Sequence, residues 1–129
     1  MIMNEAVVYG KVLKTENNEV ILRGYQGSVN RILLNNSMKL KEDTILAVKG
    51  EILSDEQGCC IGNIKRLAIV DTLRPTEYRF VGILKSKNKK SLKLILSGNY
   101  NEVLVATQNI EDKDFINQIQ RGQAISVTG

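Results

Sequence analysis

AISVTG, residues 124–129, reads as a β-strand, and it falls against ILAVKG, residues 45–50, an earlier strand of the same chain. Both stretches alternate side-chain character with the period of two that sends successive residues to opposite faces of a sheet. Working outward from this pair, YRFVGILKSK (78–87) restarts the pattern of AVVYGKVLKT (6–15), with Tyr9 against Phe80 and residues 12–15 against residues 83–86. VILRG (20–24) falls against LILSG (94–98), and Val29 against Val103. The five matches keep one order on either side of DTLRPTE (71–77), which holds the only proline. They predict an internal duplication, with residues 1–72 as a first domain and residues 73–129 as an incomplete second one.

The first copy reads as EVILRG (19–24) and VNRILL (29–34) after the opening strand, joined by the hairpin turn YQGS. SMKLKED (37–43) is a short helix or turn, TILAVKGEIL (44–53) a fourth strand, SDEQG a turn and CCIGNIKRLAIV (59–70) a fifth strand. In the second copy EDKDFINQIQ (111–120) has helical spacing, with Phe115, Ile116 and Ile119 on one face and acids at its start. About five strands with a short helix between the third and fourth is the layout of the OB-fold, a small Greek-key barrel. Glycines inside strands, Gly10 among them, suit the bends such a barrel needs. The expected class is all-β with short helices: two tandem OB-fold-like Greek-key β-barrels, the second lacking its closing strand.

Composition narrows the chemistry. The chain is 43% hydrophobic and 25% charged, which predicts a folded protein. No apolar run reaches the roughly 18 residues of a membrane helix, and MIMNEAVVYG has no signal-peptide character, so a cytoplasmic protein is expected. There is no histidine, which removes Ser-His-Asp and Cys-His catalysis and histidine metal ligation. Cys59 and Cys60 are adjacent, so in a strand they point to opposite faces and make neither a disulfide nor a metal site. No Walker loop, GxGxxG or metal-spaced carboxylate cluster is visible. Neither an enzyme nor a bound cofactor is expected.

The net charge of +4 is unevenly placed. Residues 1–72 carry nine Lys/Arg and nine Asp/Glu, whereas residues 73–129 carry nine Lys/Arg against five Asp/Glu. Much of the excess lies in KSKNKKSLK (85–93), which reads either as a solvated hairpin or as a phosphate-binding one.

LKEDTILAVKGEILSDEQGCCIGNIKRLAIVDTL (40–73) resembles the late part of bacterial single-stranded-DNA-binding proteins, where a short helix leads into a strand of the form x-V-x-V-x-G-x-L, a turn and a closing strand. The resemblance implies an OB-fold and sequence-tolerant binding of single-stranded DNA, or of RNA. The chain differs from that family in having no tryptophan, only 5% aromatic residues and a tandem arrangement. An accessory protein of a plasmid, phage or other mobile element fits such a divergent relative.

Single strands are held by a basic groove along the backbone and flat side chains against the bases. Strand parity places Leu46, Val48 and Ile52 inside, with Val20 and Leu22, and leaves Arg23 and Tyr25 outside. The expected contact residues are Tyr9, Lys11, Arg23, Tyr25 and Arg31 in the first copy, and Phe80, Lys85, Lys87, Lys89, Lys90, Lys93 and Tyr100 in the second. The alternative function is a protein-interaction or assembly module on an OB scaffold. AISVTG has no fifth strand after it, so its edge is expected to recruit a strand from a second copy or another protein, to stay open, or to belong to a longer natural protein cut short.

Overall fold

The computed structural model describes residues 4–96, 101–110 and 113–129. Among these residues, nine strands carry the fold: β1 (Glu5–Glu16), β2 (Glu19–Arg23), β3 (Val29–Leu33), β4 (Ile45–Asp55), β5 (Gly58–Val70), β6 (Glu77–Lys87), β7 (Ser91–Leu96), β8 (Glu102–Ala106) and β9 (Ala124–Thr128). An α-helix, α1 (Lys113–Gln118), lies between β8 and β9. Among the described residues no helix is long and apolar enough to cross a membrane.

Strands β1 to β5 close a barrel. β1 pairs β2, β2 pairs β3, β3 meets β5 in parallel at Ile32 and Ile61, β5 pairs β4, and β4 returns to β1. The architecture is therefore all-β and OB-like, as the strand count predicts. Closure requires β1 to serve two neighbours. Residues 5–11 pair with β4, and residues 11–16 pair with β2 on the other edge. The register slips between Val12 and Lys14, leaving Leu13 as the extra residue of a bulge. Such a bulge sharpens the bend that closes a small barrel. Gly10 works by absence of a side chain. A Cβ there would lie 2.6 Å from Cβ of Leu22, so only glycine lets β2 cross so closely.

Local chemistry explains the turns. Asn17, with φ 54, and Asn18 make the β1–β2 hairpin; asparagine tolerates this left-handed backbone better than most residues. Gly58, with φ 111, ends the β4–β5 turn, where Asp55 Oδ1 accepts the Gln57 N–H at 2.9 Å. The stretch SMKLKED, expected as helix or turn, forms an irregular connection with a turn at residues 42–43 and no helix.

Strands β6 to β9 repeat the pairings of the first four strands. β6 pairs β7 and β9, and β7 pairs β8. The bulge recurs between Leu84 and Ser86, and a Cβ at Gly82 would lie 2.9 Å from Leu94 Cβ, as one at Gly10 would lie close to Leu22 Cβ. Gly10 faces Leu46 and Gly82 faces Ile125, so AISVTG takes the place of ILAVKG, in the register the two sequences suggest. The strand β1 match is different. Gly10 corresponds to Gly82, which puts Val8, not Tyr9, at the position of Phe80. Both Val8 and Phe80 are core residues. A slip of one residue exchanges the two faces of a strand, so Phe80 moves from the expected outer face to the interior.

One continuous hydrophobic cluster runs through both halves, from Val8, Leu22 and Val48 to Leu84, Leu94 and Ile119. Burying a side chain of this size stabilises by roughly 1.5–3 kcal/mol. Ile119 is buried as its helical spacing predicts, but Phe115 is 40% exposed, because it lies at an unclosed side of the second half.

Candidate nucleic-acid interface

In the barrel, Lys11 and Arg23 face each other across β1 and β2, and both are exposed. Tyr9 lies two residues along the same face and is half-buried, and Tyr25 is 48% exposed in the short turn after β2. The structure thus brings Tyr9, Lys11 and Arg23 onto one outer patch, with Tyr25 near its end.

The groove of the β2–β3 face, beside the β1–β2 and β4–β5 turns, has a different character. Glu16, Glu19, Asn17, Asn18 and Gln57 line it, with Lys14 as the one cation among its lining residues. Lys14 sits 2.9 Å from Glu16. Arg31, expected to contact ligand, is engaged in bonds within the protein. Its side chain is only 12% exposed; it bonds to Asp55, lies 3.8 Å from Glu19, and donates to Gln57 Oε1 at 3.2 Å and to the Gly58 carbonyl at 3.3 Å. The Arg31 guanidinium holds the Asp55 carboxyl below its usual range, and Asp55 in turn raises Arg31. Arg31 is a tie that fastens the β4–β5 turn to β3.

The second half presents the lysines. Asn88 Oδ1 accepts the N–H groups of Lys90 and Ser91 at 2.7 and 2.8 Å, which shapes the β6–β7 hairpin. Thr107, buried after β8, clamps the same hairpin: its N–H reaches the Lys90 carbonyl at 2.9 Å and its hydroxyl reaches the Lys89 carbonyl at 2.8 Å. Lys87 Nζ donates to the carbonyls of Ile116, Asn117 and Ile119 at 3.0, 3.2 and 2.9 Å, where a cation suits the C-terminal end of the helix. Lys113 Nζ donates to the Thr107 carbonyl at 2.6 Å.

These groups surround a cleft of about 980 Å³ lined by Lys87, Lys89, Lys90 and Lys113 with Asn88, Gln108 and Asn117, and no carboxylate is among its described lining residues. Lys113 comes from α1 and is not among the residues that sequence reasoning singles out; only folding carries it back to the hairpin.

The remaining expected residues divide. Lys85 is paired with Glu102, whose carboxyl it holds below the usual range. Lys93 lies half-buried on β7, facing Leu104 across to β8, outside the lysine cleft. Phe80 is 3% exposed and packs 5.8 Å from the Tyr78 ring, so it offers no face to a base. Tyr100 lies outside the described residues.

Fold and surface together define an OB-like all-β protein with a lysine-lined cleft at one hairpin. No protein-family model matches the chain, and no curated protein matches it.

Proposed function

We propose that this protein binds single-stranded nucleic acid with little sequence preference, in the manner its resemblance to bacterial single-stranded-DNA-binding proteins implies. The observation that carries the reading is the cleft between the β6–β7 hairpin and α1, where four lysines converge and no carboxylate is among the described lining residues. A phosphodiester backbone is the polyanion that suits a row of cations on an OB-like surface. Lys89 and Lys90 supply the outward charge, while Lys87 and Lys113 also hold the cleft together through main-chain carbonyls. Tyr9, Lys11, Arg23 and Tyr25 extend the contact onto the barrel.

Titrating a labelled poly-dT oligonucleotide at two salt concentrations tests this. The expected result is affinity that falls with salt, with a logarithmic slope of about −0.7 for each phosphate neutralised. Absence of binding at low salt refutes it.

A further inference from the structure

The two halves carry equivalent hairpins, and strand pairing fixes which residues correspond. Thr15 faces Val20 just beyond the bulge of β1, and Lys87 faces Leu92 just beyond the bulge of β6. Glu16 and Glu19 close the first turn as a facing pair. Asn88 and Ser91 close the second, where the Asn88 N–H reaches the Ser91 carbonyl at 3.0 Å. Glu16, Asn17, Asn18 and Glu19 therefore correspond to Asn88, Lys89, Lys90 and Ser91.

Each hairpin borders a groove, of about 600 Å³ in the first half and about 980 Å³ in the second. The grooves differ in charge at matched positions. Two carboxylates flank the first turn where an amide and a hydroxyl flank the second, and two amides stand at the first tip where two ammonium groups stand at the second. Cations beside the first groove are already engaged. Lys14 sits 2.9 Å from Glu16, and Arg31 lies 3.8 Å from Glu19 and bonds to Asp55. Like charges facing each other across paired strands cost stability, so the Glu16–Glu19 pair is not what holds the turn.

The exposed sheet differs in the opposite sense. Lys11 faces Arg23 in the first half, and the corresponding Ile83 faces Ile95 in the second. Neither half carries both basic features. A basic sheet with an acidic hairpin in one half complements an apolar sheet with a basic hairpin in the other.

We propose that the protein holds one nucleic-acid strand per chain, at the second hairpin, and that Glu16 and Glu19 are the specificity-determining residues that keep the equivalent groove of the barrel from taking another. The inference rests on the nucleic-acid reading above and adds the number of sites and the residues that set it. A phosphate entering the first groove meets carboxylates, while Lys14 and Arg31 beside it are already paired. Like-charge contacts of this kind are how a surface rejects a wrong ligand. Duplication has thus produced two grooves of matched position and divided charge.

An oligothymidylate of about eight nucleotides, within the span of one OB-type site, is the probe. Calorimetric titration at low salt is expected to give one oligonucleotide per chain. The variant Glu16→Asn/Asn17→Lys/Asn18→Lys/Glu19→Ser writes the second turn into the first, and it is expected to double that stoichiometry, with circular dichroism reporting that it folds. A second arm uses unaltered protein. Titrating the isotope-labelled chain with the same probe is expected to shift the amide resonances of residues 87–90 and of Lys113, and to leave those of residues 16–19 in place. Two oligonucleotides bound by the parent, equal shifts in the two hairpins, or a folded variant that still binds one overturns the proposal and leaves the nucleic-acid reading standing. If the variant does not fold, the resonance shifts decide. A parent that binds no oligonucleotide at low salt overturns both together.

Discussion

Ala6 and Tyr78 face each other across the β1–β6 ladder, and each is the other's counterpart in its own half of the chain. Glu5 faces Arg79 and Val7 faces Glu77, so the register is symmetric about that pair. This is the arrangement of an isologous dimer contact, in which one strand meets its own equivalent, written into a single polypeptide. The two sides have diverged in size. Ala6 is 4% exposed and faces Tyr78, whose ring packs 5.8 Å from that of Phe80.

Adding bulk on the small side is expected to destabilise the protein. Ala6→Phe overfills the contact and lowers unfolding free energy by about 1–3 kcal/mol. Urea denaturation followed by circular dichroism measures this. An unchanged midpoint contradicts close packing at the symmetric pair.

The two strand glycines are expected to fail alike. Gly10→Ala forces a Cβ to 2.6 Å from Leu22 Cβ, and Gly82→Ala forces one to 2.9 Å from Leu94 Cβ. Each substitution costs about 1–3 kcal/mol, the range for overpacking, with the tighter Gly10 site the more sensitive. Thermal melts of the two single variants decide it.

The Arg31–Asp55 tie predicts an acid-sensitive β4–β5 turn. Asp55 has a folded-state pKa below its ordinary value of 3.8, chiefly through the bond from Arg31. Its stabilising contribution is therefore complete above 3.8 and is lost as pH falls through the lower folded-state value. Asp55→Asn is expected to lower the melting temperature at neutral pH and to match the parent protein in strong acid. A difference that persists in acid excludes the ionised pair as its source.

Neutralising Lys89 and Lys90 together is expected to flatten the salt dependence of poly-dT binding by about 1.4 in logarithmic slope, two phosphates at about 0.7 each. Arg31→Gln is expected to leave that slope unchanged, because the Arg31 charge is already bonded to Asp55 and lies beside Glu19. The reverse pattern moves the interface from the hairpin to the barrel.

Much of the architecture is legible in the chain itself. The apolar alternation of β4 and β9, the turn residues between strands and the proline linker predict the strand order. The same alternation places Leu46, Val48, Val20 and Leu22 in the core, where they are. The β1 repeat reads one residue out of register because Tyr9 and Phe80 look alike, whereas Gly10 and Gly82 set the true register through close contact with β2. Similar side chains are a weaker guide to register than a steric requirement that only glycine satisfies. Phe115 departs from its expected burial for a related reason: helical spacing shows which residues share a face, and a neighbouring strand must be present to bury that face.

The sequence by itself determined the all-β class and the basic balance of residues 73–129, because alternation and charge are local properties of the chain. Tertiary structure alone decided which of those charges remain available. Arg31 and Asp55, and likewise Lys85 and Glu102, are distant in sequence and meet only when strands pair. Lys113 joins the hairpin lysines because Lys87 of β6 bonds main-chain carbonyls of α1 and Lys113 itself reaches the Thr107 carbonyl. The fate of AISVTG was divided in the same way: its pattern made it a strand, and its place beside β6, with nothing across its other edge among the described residues, made it half of a cleft.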